Sequence, residues 1–248
     1  MEAEPRTINL FMIPFAGGNS YVYRNMKEAA APFLNVILVD LPGHGRRIRE
    51  KVLTDLDLIC DDLFNHPELK GPEIAPYAIF GHSMGAALAY LLAKRMDEER
   101  NTPPVHMFFS GRQAPTVPSV EKDLHKLPMN VFIEKVMSYG GIPLEVAREK
   151  DLMDLFIPIM MADFKAIETY EFNDVKPVSA PASVFIGEND LLTPYETAFH
   201  WQEVSDNPID ITTFSGGHFF IFKHGAKIID IINNSLAKVH LSLDAFVN

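Results

Sequence analysis

The chain has 248 residues, 47% of them hydrophobic, which is enough to bury the core of one α/β domain with a small insertion. Its 22 basic and 33 acidic side chains give a net charge of -11, which excludes nucleic acid and anionic membranes as expected partners. The N-terminal residues have the pattern of neither a signal peptide nor a membrane span, so we expect a cytoplasmic protein. The single cysteine, Cys60, excludes an internal disulfide, and the nine histidines show no metal-site spacing.

A buried strand and a glycine-containing loop are predicted near the N-terminus. Residues 8–13 form an apolar run, and the turn at 14–20 follows it. Glycines let such a loop approach a ligand closely, and in hydrolases the loop after an early strand supplies an oxyanion N–H. Ala16 is the candidate donor. An ordinary Gly-Gly turn before a helix capped by Asn19 or Ser20 is the alternative.

A basic cluster follows the second predicted strand, residues 36–40, and the LPGHG turn at 41–45. Its members are Arg46, Arg47, Arg49 and Lys51. Arg46 and Arg47 could bind a phosphate by charge-assisted hydrogen bonds near the mouth of an active site. A solvated loop whose cations balance nearby acids is the alternative.

A nucleophile elbow is predicted in the first half of the chain. Residues 81–85 read GHSMG, between an apolar run at 77–80 and a helical run at 86–93. In this context the G-x-S-x-G pattern presents a serine, here Ser83, at the N-terminus of a helix. The helix dipole and the N–H of Met84 can then stabilise an oxyanion. A glycine-rich turn with a solvated serine is the alternative.

Helices without strands are predicted from 116 to 175, after a strand at 105–110. A stretch of this length is too long for an ordinary crossover, so we interpret it as a helical lid inserted into a core formed by 1–115 and 176–248. Apolar side chains of the lid could line a site for an acyl chain or simply pack against the core. The methionines in question are Met153, Met160 and Met161. A closing helix is predicted at 226–239.

The last two predicted strands, 182–186 and 209–214, are each followed by a turn with a candidate catalytic residue. Asp190 follows the first of these strands, and His218 follows the second through two glycines. On a parallel sheet with a nucleophile elbow, the order along the chain is serine, acid, histidine, which matches these positions. Glu188 is the alternative acid.

The resulting triad predicts chemistry through an acyl-serine. His218 takes the proton of Ser83, whose oxygen attacks an acyl carbonyl. The N–H groups of Met84 and Ala16 hold the oxyanion, Asp190 orients the imidazole, and water then releases the acid. A triad alone does not decide whether the leaving group is an alcohol, an amine or a thiol.

Six motifs occur in order along the chain: PFAGG at 14–18, LPGHG at 41–45, GHSMG at 81–85, SGRQAP at 110–115, GEND at 187–190 and GGH at 216–218. Together they resemble the type II thioesterases of non-ribosomal peptide and polyketide synthesis. The resemblance implies an α/β-hydrolase fold, with a mostly parallel central sheet flanked by helices and a mobile helical lid. The family's triad falls on Ser83, Asp190 and His218. Its oxyanion donors fall on Ala16 and Met84.

The resemblance also implies a substrate and a partner. The enzyme would hydrolyse acyl groups from the phosphopantetheine arm of acyl or peptidyl carrier proteins and so remove misprimed or stalled units. Gln113 stands where many relatives have arginine, so the resemblance carries no phosphate contact to that position. We expect a monomer without a metal or cofactor of its own. The alternatives are a general carboxylesterase, an acyltransferase of the same fold and a non-catalytic binding module.

Overall fold

A parallel β-sheet forms the centre of the fold. The computed structural model describes residues 7–71, 74–142 and 144–245, and within them the sheet has six strands. These are β1 (Ile8–Ile13), β2 (Leu34–Leu38), β3 (Tyr77–His82), β4 (His106–Ser110), β5 (Ala182–Gly187) and β6 (Ile209–Phe214). Their order is β2-β1-β3-β4-β5-β6, and every neighbouring pair is parallel. The strand order therefore reverses between β1 and β3, and α/β proteins bind ligands at the carboxyl ends of strands beside such a reversal.

Helices cover both faces of the sheet. In the described residues they are α1 (Arg24–Glu28), α2 (Leu56–Phe64), α3 (Met84–Arg100), α4 (Met129–Ser138), α5 (Leu144–Ala147), α6 (Lys150–Thr169) and α7 (Phe220–Ala245). Short 3-10 turns occur between several of them, and a longer 3-10 helix, Tyr195–Val204, lies between β5 and β6. No helix in this part of the chain is both long and apolar enough to cross a lipid bilayer.

Burial on both faces explains why the strands read as apolar runs. Along β1, Phe11 and Ile13 belong to a core cluster shared with α2 and α3. Leu10 and Met12 alternate with them and belong to a second cluster, shared with α1 and α7. Because side chains alternate between faces along a strand, a sheet covered on both sides needs apolar residues at successive positions.

The strands lie close to their predicted positions. Those predicted at 8–13 and 209–214 have these bounds in the structure. The prediction of 36–40 for the second strand is wrong by two residues, because β2 begins and ends two residues earlier. Beyond the end of β2, the carboxylate of Asp40 accepts the N–H of Ser20 at 2.7 Å, so this stretch bonds to the loop after β1.

The last helix is longer than the predicted 226–239. It begins at Phe220 and continues to Ala245, with a kink at His224. Its aromatic first turn contacts the sheet, since the ring of Phe220 stacks on Phe214 of β6 at a centroid distance of 5.3 Å. These aromatic residues obscure the helical pattern in the sequence, which is why the predicted start was late.

The described part of residues 116–175 contains helices and no strand. It holds the 3-10 turn Leu124–Lys126 and helices α4, α5 and α6. Its own apolar cluster includes Phe132, Val136, Ile157 and Met160. An inserted helical lid fits this arrangement, and its bounds stay a prediction.

Gly85 marks the closest approach of α3 to the end of β1. A methyl group there would lie 2.3 Å from the carbonyl oxygen of Ile13 and 2.6 Å from that of Pro14. We expect Gly85→Ala to lower the free energy of unfolding by about 3 kcal/mol, although alanine is the better helix former. Urea titration followed by circular dichroism measures the change. Gly217→Ala is the matched control, because its added carbon would meet nothing closer than 3.7 Å. Equal stability of the two variants would contradict the expectation.

Candidate active site

Ser83 stands in a sharp turn between β3 and α3. Its backbone has φ 54 and ψ -117, a conformation that residues other than glycine rarely adopt. A Cβ at Gly81 would lie 2.0 Å from the carbonyl oxygen of Gly85, so only glycine lets the strand and the helix approach this closely. The N–H of Ser83 donates to the carbonyl of Ser110 at 2.8 Å, which ties the turn to β4. The predicted elbow is therefore present, with the serine at the start of α3.

The structure brings the three predicted triad residues together. His218 Nε2 lies 3.0 Å from Ser83 Oγ, and His218 Nδ1 lies 2.8 Å from Asp190 Oδ2. Because a carboxylate only accepts, Nδ1 carries the proton and Nε2 is left to accept from the serine hydroxyl. Glu188, the alternative acid, is exposed and makes no contact with the imidazole. The geometry is that of a nucleophile, a base and an orienting acid.

Asp190 is held as a carboxylate by several donors. Its Oδ1 accepts the N–H of Leu192 at 2.9 Å, and its Oδ2 accepts the hydroxyl of Thr193 as well as His218. Burial raises the pKa of Asp190, but the hydrogen bond and charge of His218 and the other donors outweigh it and hold the pKa below its ordinary value. Asp190 therefore stays ionised beside the imidazole.

The ring of His82 packs beside the catalytic imidazole. Its ring centroid is 5.1 Å from that of His218, and its Nδ1 lies 2.9 Å from Ser110 Oγ. Burial, with a smaller contribution from His218, holds the pKa of His82 well below its ordinary value. His82 is thus neutral and adds no positive charge next to the base.

The two residues predicted as oxyanion donors, Ala16 and Met84, line the same cavity as Ser83. Met84 is the first residue of α3, where an N–H has no acceptor within the helix. Neither its N–H nor that of Ala16 donates a hydrogen bond to another described residue. The following N–H groups of the loop are occupied, since Gly17 donates to Asp163 Oδ2 at 2.7 Å and Gly18 to the Phe15 carbonyl at 2.8 Å. The oxyanion role of Ala16 and Met84 stays a prediction, with two free donors in its favour.

A cavity of about 680 Å³ opens at Ser83 and runs under the helical segment. Its apolar wall includes Val136, Met160, Phe164 and Ile167. Of the three methionines considered for this wall, Met160 lines the cavity, whereas Met153 and Met161 pack within the helical segment. The volume and apolar lining suit an acyl chain.

Arg46 and Arg47 are bound to carboxylates and lie away from the cavity. Arg46 Nε donates to Asp40 Oδ2 at 2.8 Å. Arg47 forms ion pairs with Glu50 and with Asp62, each at 2.6 Å. The structure thus does not bring the two arginines to the nucleophile, and the alternative of a loop that balances nearby acids fits these contacts.

Arg112 is a positively charged residue of the cavity wall. In the sequence it was noted only as part of the SGRQAP motif. Its guanidinium has neither a hydrogen bond nor an ion pair with any residue the structure describes, whereas its carbonyl oxygen accepts from Trp201 Nε1 at 2.9 Å. Burial lowers the pKa of Arg112 to about 10. A half-buried cation without an ion pair to a described residue is suited to an anionic or carbonyl group of a ligand. The described residues include no cluster of three or more potential metal ligands.

Several known proteins with similar sequences or structures are thioesterases or proteins of peptide and polyketide biosynthesis. A family model described as a thioesterase domain matches residues 8–236. The chain is 31% identical to the gramicidin S biosynthesis protein GrsT of Aneurinibacillus migulanus, over 94% of this chain and 90% of that protein. The crystal structure of ClbQ from the colibactin NRPS/PKS pathway has a TM-score of 0.87 and 27% identity, covering 95% of this chain and 99% of that one. The type II thioesterase BorB from the borrelidin biosynthetic cluster has a TM-score of 0.84 and 31% identity, covering 95% of each chain.

The sequence match and the structural match cover the same part of the molecule. Both include the sheet, the elbow and the helical segment, and both extend over nearly the whole chain. The chain therefore belongs to the thioesterase family, has the α/β-hydrolase fold and is a hydrolase that acts on thioesters.

Proposed function

We propose that this protein is a type II thioesterase that hydrolyses acyl groups from the phosphopantetheine arm of acyl or peptidyl carrier proteins and so removes misprimed or stalled units. The observation that carries the proposal is the hydrogen-bonded series Ser83, His218 and Asp190, which opens into a cavity walled by the helical segment. The relatives named for the gramicidin S, colibactin and borrelidin pathways support a carrier-bound substrate.

The first half of the reaction forms an acyl-serine. His218 Nε2 accepts the hydroxyl proton of Ser83 while the serine oxygen bonds to the carbonyl carbon of the thioester. The carbonyl oxygen becomes negative, and the N–H groups of Met84 and Ala16 donate to it. As the carbon–sulfur bond breaks, the imidazolium gives its proton to the departing thiolate.

The second half of the reaction consumes water. His218 takes a proton from a water molecule whose oxygen attacks the acyl carbon, and it returns this proton to Ser83 Oγ as the carboxylic acid leaves. Asp190 accepts from His218 Nδ1 in both halves, so it fixes the tautomer and stabilises the imidazolium. These groups supply a nucleophile, a base and an oxyanion site, and we propose that no metal or cofactor takes part.

The cavity explains how a carrier-bound substrate could be accommodated. The apolar side chains of α4 and α6 offer the acyl chain an apolar wall. The unpaired guanidinium of Arg112 offers a donor to a polar group of the arm or the acyl chain. Carrier domains are the partners that this substrate requires. A monomeric state and a cytoplasmic location stay predictions.

Release of acyl groups from a holo carrier protein tests the proposed function. We expect acetyl and longer acyl groups to leave the carrier with a higher kcat/KM than the matching p-nitrophenyl esters show. Ser83→Ala should reduce both reactions by about 10⁶-fold, because it removes the nucleophile. Mass spectrometry of the carrier measures the loss of the acyl group.

Two outcomes of this experiment would replace the proposal. Turnover of the ester without turnover of the carrier-bound thioester would indicate a general carboxylesterase. Product that forms only after an alcohol or amine is added would indicate an acyltransferase.

The acid of the triad can be tested against its neighbour in the same loop. Asp190→Asn should lower kcat by about 10⁴-fold, since an amide at this position favours the wrong imidazole tautomer. Glu188→Gln is the control, because the Glu188 side chain is exposed. A loss of kcat in Glu188→Gln alone would identify Glu188, and not Asp190, as the acid of the triad.

Substitution of Arg112 should weaken substrate binding, whereas substitution of Arg46 and Arg47 should not. We expect Arg112→Gln to raise KM for carrier-bound substrate about tenfold, the equivalent of about 1.4 kcal/mol for a charged hydrogen bond. Replacing both Arg46 and Arg47 with Gln should leave this KM near the wild-type value, because both side chains are bound to carboxylates outside the cavity. Steady-state kinetics with one acyl carrier distinguishes the cases. A raised KM in the double variant alone would restore the phosphate contact expected from the sequence.

A further inference from the structure

A buried carboxylate of α6 contacts the loop that carries the Ala16 N–H. Asp163 is 0% exposed, and its Oδ2 accepts the N–H of Gly17 at 2.7 Å. The same oxygen lies 2.8 Å from His44 Nε2, in the turn after β2. Asp163 Oδ1 has no hydrogen-bond partner among the described residues. One side chain of the helical segment thus joins two loops of the core.

His44 faces acceptors with both ring nitrogens. Its Nδ1 lies 3.1 Å from the carbonyl oxygen of Pro42, and its Nε2 faces the carboxylate of Asp163. Both nitrogens can donate at once only if each carries a proton, so these two contacts favour the imidazolium form. Burial lowers the pKa of His44, but the hydrogen bond and charge of Asp163 outweigh burial and raise it.

A buried ion pair of this kind costs desolvation energy, so it is weak evidence for a stabilising role. Well-packed apolar residues of similar volume would often give equal or greater stability. Stability therefore does not explain why the ion pair is present. The hydrogen bond that Asp163 accepts from the N–H of Gly17 indicates a different role.

The same helix also holds Gly17 by packing. Gly17 has φ 76, and a Cβ there would lie 2.8 Å from the methyl carbon of Met160, one turn before Asp163 on α6. The N–H of Gly17 points to the carboxylate, and the N–H of Gly18 is taken by the Phe15 carbonyl. Of these three successive N–H groups, that of Ala16 alone stays free, and its residue lines the cavity beside the nucleophile.

We propose that Asp163 is a positioning residue for the oxyanion site: from α6 it fixes the loop at Gly17, so that the N–H of Ala16 is aimed at the substrate carbonyl only while α6 is docked on the core. This inference rests on the proposed oxyanion role of Ala16. It makes the helical segment part of the catalytic apparatus as well as a wall of the acyl site. An N–H donor that is already in position stabilises the transition state without movement of the loop during the reaction.

The chain offers a matched control on the same helix. Glu168 also accepts two backbone N–H groups, from Leu124 at 2.9 Å and from His125 at 3.0 Å, and it also pairs with a histidine ring, that of His125. All of these contacts lie within the helical segment. Loss of the Glu168 carboxylate therefore disturbs this segment without touching the loop after β1. Glu168 also lines the cavity, so the comparison uses a small ester that needs little of the acyl site.

The test compares Asp163→Ala, Asp163→Asn and Glu168→Ala with p-nitrophenyl acetate as substrate. This small ester needs the oxyanion site but little of the acyl cavity, and its turnover does not depend on whether carrier proteins are the natural partners. We expect Asp163→Ala to lower kcat about 10- to 100-fold, less than the complete removal of a donor, with KM changed less than about threefold. Asp163→Asn should recover part of the loss, because its amide oxygen can still accept the N–H of Gly17.

Thermal unfolding of each variant separates catalytic loss from unfolding, and kinetics are measured below the lowest Tm. Glu168→Ala should lower kcat less than about threefold at a comparable loss of Tm. An Asp163→Ala enzyme with wild-type kcat on the small ester, or an equal loss of kcat in Glu168→Ala, would overturn the proposal. So would an effect on KM alone. Failure of the carrier-protein reaction with intact ester chemistry would instead count against the proposed function.

Discussion

The close contact between backbones at the elbow is the constraint on which the site depends. Gly81 and Gly85 let the end of β3 and the start of α3 touch, and the turn between them forces Ser83 to a positive φ. Gly85 also rests on the carbonyl oxygens of Ile13 and Pro14, at the end of β1. One contact therefore presents the hydroxyl, exposes the first N–H groups of α3 and brings them beside the loop after β1. Both halves of the proposed oxyanion site follow from it.

The parallel sheet supplies the rest of the triad. Because all six strands run in one direction, the segments that follow β3, β5 and β6 emerge at the same edge, and residues 83, 190 and 218 meet there despite their distance in sequence. The neutral ring of His82 packs beside that of His218, and Thr193 and Leu192 donate hydrogen bonds to Asp190. The imidazole is thus confined by packing and by hydrogen bonds at both nitrogens, which favours one orientation.

Sequence reasoning succeeded where a local pattern determines local structure. The elbow, the order of the strands in the chain and the turns that carry Asp190 and His218 are all encoded within a few residues of each site. It failed where the outcome depends on a distant partner. Arg47 pairs with Asp62, fifteen positions later, as well as with the nearby Glu50, and the link between His44 and Asp163 spans 119 positions. Arg112 was visible in a motif, but only the fold shows that its guanidinium makes no ion pair with a residue the structure describes.

The position of α6 suggests that substrate fit and catalysis are coupled. Met160 both lines the acyl cavity and packs against Gly17, and Asp163, one turn later, binds the N–H of the same glycine. An acyl group that displaces Met160 therefore also presses on the loop that carries Ala16. Binding energy from a remote part of the substrate can in this way improve or impair the alignment at the reacting carbonyl, which affects kcat as well as KM. A single methionine with a flexible side chain at this contact limits how much of that pressure reaches the oxyanion loop.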